Sequence, residues 1–235
     1  MSWYFLVEYM EELQKIKIIY EDNHLLVVEK PINIPVCADS SLDRDLLSIL
    51  KDYLKEKYHK PGNVYLGLVH RLDRPVSGVM VFAKTSKAAS RLGRQVSDHT
   101  LKKEYLAVVE GKVPLEGDFV DYLKKDEKRN ISYVTEKSHG KVARLHYKRL
   151  EYKNGFSLVK IHLETGRSHQ IRVQFSSRGF PLVGDAKYNK NHDGKTNVAL
   201  FAKKLSFYHP VTKELLQFEI DMPKRYPFSL FSKNT

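Results

Sequence analysis

The sequence predicts an α+β fold: one domain on a large mixed, mostly antiparallel sheet with helices against it. Three observations predict it. Short apolar or alternating stretches outnumber those with helical spacing. Turn-forming residues separate them, with Asn154-Gly155 the strongest hairpin signal. Most neighbouring strand candidates read as antiparallel partners, and strands and helices do not alternate regularly.

Ile16 to Lys30 reads as two short strands around a turn at Glu21-Asp22-Asn23, after which Pro31 and Pro35 interrupt any ladder. Asp43 to Lys57 carries apolar residues at 46, 47, 50 and 54, a helical spacing, with Ser40 and Ser41 upstream as caps. Val64 to Val69 and Gly78 to Lys84 are strand-like, and Ser86 is placed to cap a helix running to about Val96. Tyr105 to Val109 is a strand ended by Gly111. Val142 to Tyr152 alternates, turns at Asn154-Gly155, and alternates again from Phe156 to Leu163. Thr165-Gly166 ends that strand and opens a helix from Ser168 to Ser177. Val198 to Phe207 and Leu215 to Ile220 form a last pair around His209-Pro210.

Of the 235 residues, 42% are hydrophobic and 29% charged, a globular balance that suits one large domain or two small ones. No linker or repeat marks an internal boundary. The expected organisation is a short extension over residues 1–15 and one domain over 16–235. No apolar run approaches the roughly 20 residues of a membrane helix. The start, MSWYFLVEYMEELQ, lacks the basic region of a signal peptide. Cys37 is the single cysteine, which excludes an internal disulfide. No CxxC, HxH or HExxH pattern occurs, so the sequence offers no metal-ligand set. A cytoplasmic location is the expectation.

Forty Lys and Arg face 28 Asp and Glu, a net charge of +12. Such a surplus implies an anionic partner, and nucleic acid is the common one, because cations on phosphate release counterions. The charge is spread along the chain, with a basic stretch from Arg91 to Lys103. Charge alone does not separate a binder from an enzyme.

Three segments carry chemistry. The first is Leu68-Val-His-Arg-Leu-Asp-Arg-Pro-Val-Ser-Gly78, a charged loop between apolar strands. Its Asp73 has two readings. It is a turn carboxylate accepting backbone N–H groups, or it is a nucleophile or acid–base group beside Arg71 and Arg74, which can meet phosphate. The second segment is Lys103-Glu-Tyr-Leu-Ala107, where Tyr105 is a core ring or a ring that stacks on a base. The third is Leu163-Glu-Thr-Gly-Arg-Ser-His-Gln-Ile-Arg172. Its Arg167 is a surface cation or the bidentate partner of a carboxylate. His70 and His169 read as satisfied polar groups or RNA contacts. Arg172, one helical turn beyond His169, is expected to face RNA or solvent.

HRLDRPVSGVMVFAK (70–84), KEYLAVVEG (103–111), LETGRSHQIRVQF (163–175) and PLVGDAKY (181–188) together resemble the RluA-type RNA pseudouridine synthases. IIYEDNHLLVVEKP resembles the strand pair that opens that family's catalytic domain, and the likeness runs from about Lys15 to about Met222. The resemblance implies a bent catalytic sheet and conversion of uridine to pseudouridine in ribosomal or transfer RNA, by a monomer without cofactor or metal. It makes Asp73 the catalytic aspartate, which attacks C1′ or takes the 2′ proton. Tyr105 becomes the ring against the target uracil, Arg167 the carboxylate's partner, and Arg71 the side chain that fills the space of the flipped nucleotide. His70, Arg74, His169 and Arg172 are further RNA-binding candidates. Val76 stands where the family commonly has Thr, which puts one loop hydrogen bond in question. No S4 RNA-binding domain is expected before Ile16, so RNA affinity has to come from the catalytic domain's own basic surface. The competing function is a non-catalytic RNA-binding protein on the same scaffold.

Overall fold

A computed structural model describes residues 13–39, 41 and 43–232. Of the expected extension over 1–15, only 13–15 fall within this range. In chain order the elements are β1 (Lys17–Glu21), β2 (Leu25–Lys30), α1 (Leu46–Lys57), β3 (Gly67–Leu68), β4 (Ser77–Ala83), α2 (Ser86–Ser97), β5 (Lys102–Glu110), β6 (Glu116–Asp126), β7 (Ile131–Thr135), β8 (Lys141–Lys153), β9 (Phe156–Leu163), α3 (Gln170–Ser176), β10 (Leu200–Tyr208), β11 (Leu215–Glu219) and a 3-10 turn (Phe228–Phe231). The class is α+β, with eleven strands among the described residues. Packing divides the chain into two units, one up to Leu101 plus Leu205–Ile220, the other Lys102–Lys204 plus Asp221–Thr235. None of the described helices is long and apolar enough to cross a membrane.

In the first unit the strand order is β1-β2-β4, then the C-terminal part of β10, with β11 on β10 and β3 on β4. The β1–β2 turn forms because the Asp22 carboxylate accepts the N–H groups of both His24 and Leu25 at 2.7 Å. β2 runs antiparallel to β4 from Leu25 opposite Ala83 to Lys30 opposite Gly78. Leu25 to Val28 and Met80 to Ala83 are fully buried, the continuous apolar character of a strand covered on both faces. Helix α1 buries Leu46, Ile49, Leu50 and Leu54 along one stripe.

Two caps differ from expectation. Asp45, not Ser41, caps α1, accepting the Ser48 N–H at 3.0 Å and the Ser48 hydroxyl at 2.8 Å. The Ser41 hydroxyl is spent on Asp39 at 2.6 Å, and Ser40 lies outside the described residues. Thr85, extended at φ −138°, caps α2 through Ala88, so Ser86 is its first helical residue. The strand expected over Val64 to Val69 is reduced to Gly67–Leu68.

In the second unit the order is β10-β5-β9-β8-β6-β7, and the ladders of β5 with β9, β9 with β8, β8 with β6 and β6 with β7 are antiparallel. The β8–β9 hairpin closes at Asn154 and Gly155, both at positive φ (53° and 83°), as a type I′ turn demands. Phe119, Tyr147 and Phe175 meet with ring centroids 4.9–5.3 Å apart, seating α3 on the sheet. The expected helix from Ser168 begins two residues late. His169 sits in the left-handed region at φ 53°, which no helical residue adopts. The β6–β7 hairpin has no counterpart in the sequence-based reading.

Candidate active site

In the first unit, β3 and β4 hand over to each other through residues 69–76, the loop that carries Asp73. The loop is tight because the Val76 N–H donates to the Asp73 carbonyl at 2.9 Å. His70 is buried, and its Nε2 accepts the Val81 N–H at 3.2 Å, tying the loop's start to β4. Val76 is buried as well, 1% exposed. Asp73 itself is half-buried and Arg71 is exposed. Arg74 donates to the Ser41 hydroxyl at 2.7 Å and to Asp43, with Asp39 at 3.7 Å. Two carboxylates therefore offset the charge that the sequence offers to phosphate.

The loop's main anchor is a residue that the sequence reading took for an ordinary strand end. Lys30 has no exposed surface. Its ammonium donates to the carbonyls of Pro31 (2.9 Å), Arg74 (2.9 Å) and Val76 (2.8 Å), one acceptor per proton. The Asn33 N–H adds a further bond to the Arg74 carbonyl at 2.9 Å. Burial pulls Lys30 down to about 7, and the charge of Asp73 acts in the opposite direction. The available signal was the order Val-Val-Glu-Lys-Pro, a lysine closing an otherwise apolar strand.

In the second unit Tyr105 lies on β5 opposite Ile161, 5% exposed. Two residues before it, burial lowers the pKa of Lys103. The Lys103 ammonium lies 3.2 Å from where a β-carbon on Gly166 would stand, so it sits against the Thr165-Gly166 turn. That turn is built from side chains. The Thr165 hydroxyl accepts the Arg144 N–H at 2.8 Å and donates to the Gln170 amide oxygen at 2.8 Å. The same amide oxygen accepts the Arg167 N–H at 3.0 Å, and the Gln170 amide nitrogen donates to the Arg144 carbonyl at 3.0 Å. Arg167 is exposed, and its Nε donates to the Val142 carbonyl at 2.9 Å.

Arg172 requires a correction. It faces neither RNA nor solvent: it is 4% exposed and forms a two-pronged pair with the fully buried Asp185, at 2.8 and 2.7 Å. A guanidinium buried at this depth needs such a fork. His169 is buried too, its Nδ1 2.7 Å from the Tyr188 hydroxyl.

A family model described as RNA pseudouridylate synthase matches residues 24–177. Over 221 residues the chain is 34% identical to "Ribosomal large subunit pseudouridine synthase D" of Zymomonas mobilis, covering 89% of this chain and 70% of that protein. It is 36% identical to the protein of the same name from Neisseria meningitidis, of which it spans 60%. It is 35% identical to "Uncharacterized RNA pseudouridine synthase YlyB" of Bacillus subtilis, over 93% of this chain and 73% of that one. Among solved structures, "Human RNA Pseudouridylate Synthase Domain Containing 4" shares the fold at a TM-score of 0.79 and 22% identity, covering 97% of each chain. The matched span takes in the Asp73 loop, the Tyr105 strand and the Arg167 turn, and the chain belongs to the RNA pseudouridylate synthase family.

Proposed function

We propose that this chain isomerises uridine to pseudouridine in the RNA of the large ribosomal subunit. The observation that carries the reading is the Asp73 loop, a half-buried carboxylate on a turn whose backbone is fixed by the buried ammonium of Lys30. The names of the relatives support ribosomal over transfer RNA. The product is an isomer of the substrate. The N1–C1′ bond breaks, a C5–C1′ bond forms, C5 loses its proton and N1 gains one, so no electrons or atoms are exchanged with a co-reactant. Asp73 acts as the ionised group toward the ribose, Arg167 supports its charge, and Tyr105 offers a flat face to the uracil and removes the C5 proton. The target must leave its stack, at a cost of a few kcal/mol, and Arg71, exposed on the Asp73 loop, fills the space it leaves.

The test is tritium release from RNA labelled at uridine C5, with unmodified ribosomal and transfer RNA in separate reactions. Release from large-subunit RNA by the wild type, and none by a folded Asp73→Ala variant, is the expected result. Release from transfer RNA alone would overturn the substrate class. An Asp73→Ala variant within tenfold of wild type would remove Asp73 from the chemistry.

A further inference from the structure

The segment from Asp185 to Tyr188 grips two different parts of the second unit. On one side it holds the β6–β7 hairpin. Lys187 Nζ donates to the Asn130 carbonyl at 2.6 Å, in the hairpin turn where Asn130 has φ 49°. Two residues on, the Ser132 N–H donates to the Tyr188 hydroxyl at 2.6 Å. On the other side the segment holds the turn that leads into α3. The same Tyr188 hydroxyl is 2.7 Å from His169 Nδ1, with the two rings edge to face at 5.6 Å. The Arg172 guanidinium, fixed by Asp185, lies 5.2 Å from the centre of the Tyr188 ring. The ring itself packs against Leu123, Ala143 and Val173.

The ring and the hydroxyl have separable tasks. Phenylalanine would fill the same volume and keep the guanidinium over its face. The hydroxyl is different, because one oxygen bonds a strand amide and an imidazole at once. It thereby sets the distance between the hairpin and His169, two residues beyond Arg167. Elsewhere the Arg167 turn is held from β8, through Thr165, Gln170 and Val142. The hairpin tip carries exposed Lys128 and Arg129, cations suited to RNA phosphate.

We propose that Tyr188 is a positioning residue for the Arg167 turn: its hydroxyl fastens His169 to the β6–β7 hairpin, so RNA seated on Lys128 and Arg129 also sets the alignment of Arg167. The proposal rests on the synthase reading above. Loss of this tether loosens the turn without removing any group that touches RNA. A misplacement of about 1 Å far from the reacting atoms costs up to about 100-fold in rate.

The experiment compares wild type, Tyr188→Phe, His169→Ala and the double variant by single-turnover kinetics, RNA affinity and thermal melting. Tyr188→Phe is expected to lower the single-turnover rate about tenfold or more, with RNA affinity within about twofold of wild type. The double variant is expected to be no slower than the slower single one, because both changes cut the same link. A Tyr188→Phe variant at the wild-type rate, or one that loses affinity alone, overturns the proposal, as do single effects that multiply. If wild type itself turns over no RNA, the synthase reading fails, and the link is then read from the His169 imidazole by NMR chemical shifts. The Tyr188→Phe change should shift the imidazole resonances of His169, and unmoved resonances overturn the link.

Discussion

The ammonium of Lys30 donates to the carbonyl oxygen of Arg74 across 2.9 Å, and this bond spans 44 positions of sequence to fix the residue that follows Asp73. The Asp73 loop is thus held by its backbone, from a strand that precedes it by the whole length of α1.

Replacing Lys30 with Met keeps most of the volume, takes the ammonium from the carbonyls of Pro31 and Val76, and leaves that of Arg74 with the Asn33 N–H. The expected loss is about 2 kcal/mol or more, at about 1–3 kcal/mol for each of the two buried carbonyls that lose their Lys30 donor, measured by urea denaturation. The gap should depend on pH. The folded value of Lys30 is lowered from 10.5 to about 7. Between those values the unfolded chain holds a proton that the native state lacks, so wild-type stability relative to Lys30→Met rises as pH increases from about 7 towards 10. A gap that is constant or shrinks over this window would contradict the assignment.

Arg172→Ala leaves Asp185 buried with its charge uncompensated. The expected cost is about 3–5 kcal/mol. In contrast to a residue that touches phosphate, its loss should leave the salt dependence of RNA binding unchanged for the folded fraction. A reduced salt slope with unchanged stability would restore it to the RNA surface.

Glu21 joins three elements of the first unit. Burial pushes its carboxyl up, but bonds from Lys57, Lys84, Tyr58 and Tyr53 outweigh this and bring it to about 2. A depressed carboxylate contributes stability that is complete above its unfolded value near 4.5 and is lost as pH falls towards 2. Glu21→Gln should cost about 1 kcal/mol at neutral pH, a modest figure because solvent screens part of the network. The difference from wild type should close between pH 4.5 and 2 in acid titrations followed by circular dichroism. A difference that persists at pH 2 would contradict the network.

Tyr105→Phe keeps a ring of the same area on β5 opposite Ile161. RNA affinity should hold within about twofold, while turnover falls by about 100-fold, the low end for a lost acid–base group. Stopped-quench release of the C5 tritium separates the two, and an unchanged rate would leave the ring as a stacking surface only.

The β8–β9 hairpin was legible to the residue at β9, because Asn154-Gly155 admits one turn type and the alternation on both sides fixes register. The β6–β7 hairpin was not. β6 reads Glu-Gly-Asp-Phe-Val-Asp-Tyr-Leu-Lys-Lys-Asp and buries only Phe119 and Leu123, too sparse a pattern for a period of two to stand out. The start of α3 was misread because left-handed His169 looks like any polar residue in the sequence. Asp73, Tyr105 and Arg167 were legible as motifs, whereas Lys30 and Tyr188 were not. Their roles lie in bonds to backbone 44 to 56 positions away, a distance at which local pattern carries no information.

Lys30 also makes the opening of the Asp73 loop observable. No part of its amine meets solvent while the loop is seated. An acylating reagent can reach it only when the three carbonyls let go, so its labelling rate would follow the fraction of molecules with the loop detached. Most of the 28 lysines are surface groups open to the reagent; a slow, late-labelled Lys30 among them would time how often the Asp73 loop leaves its seat.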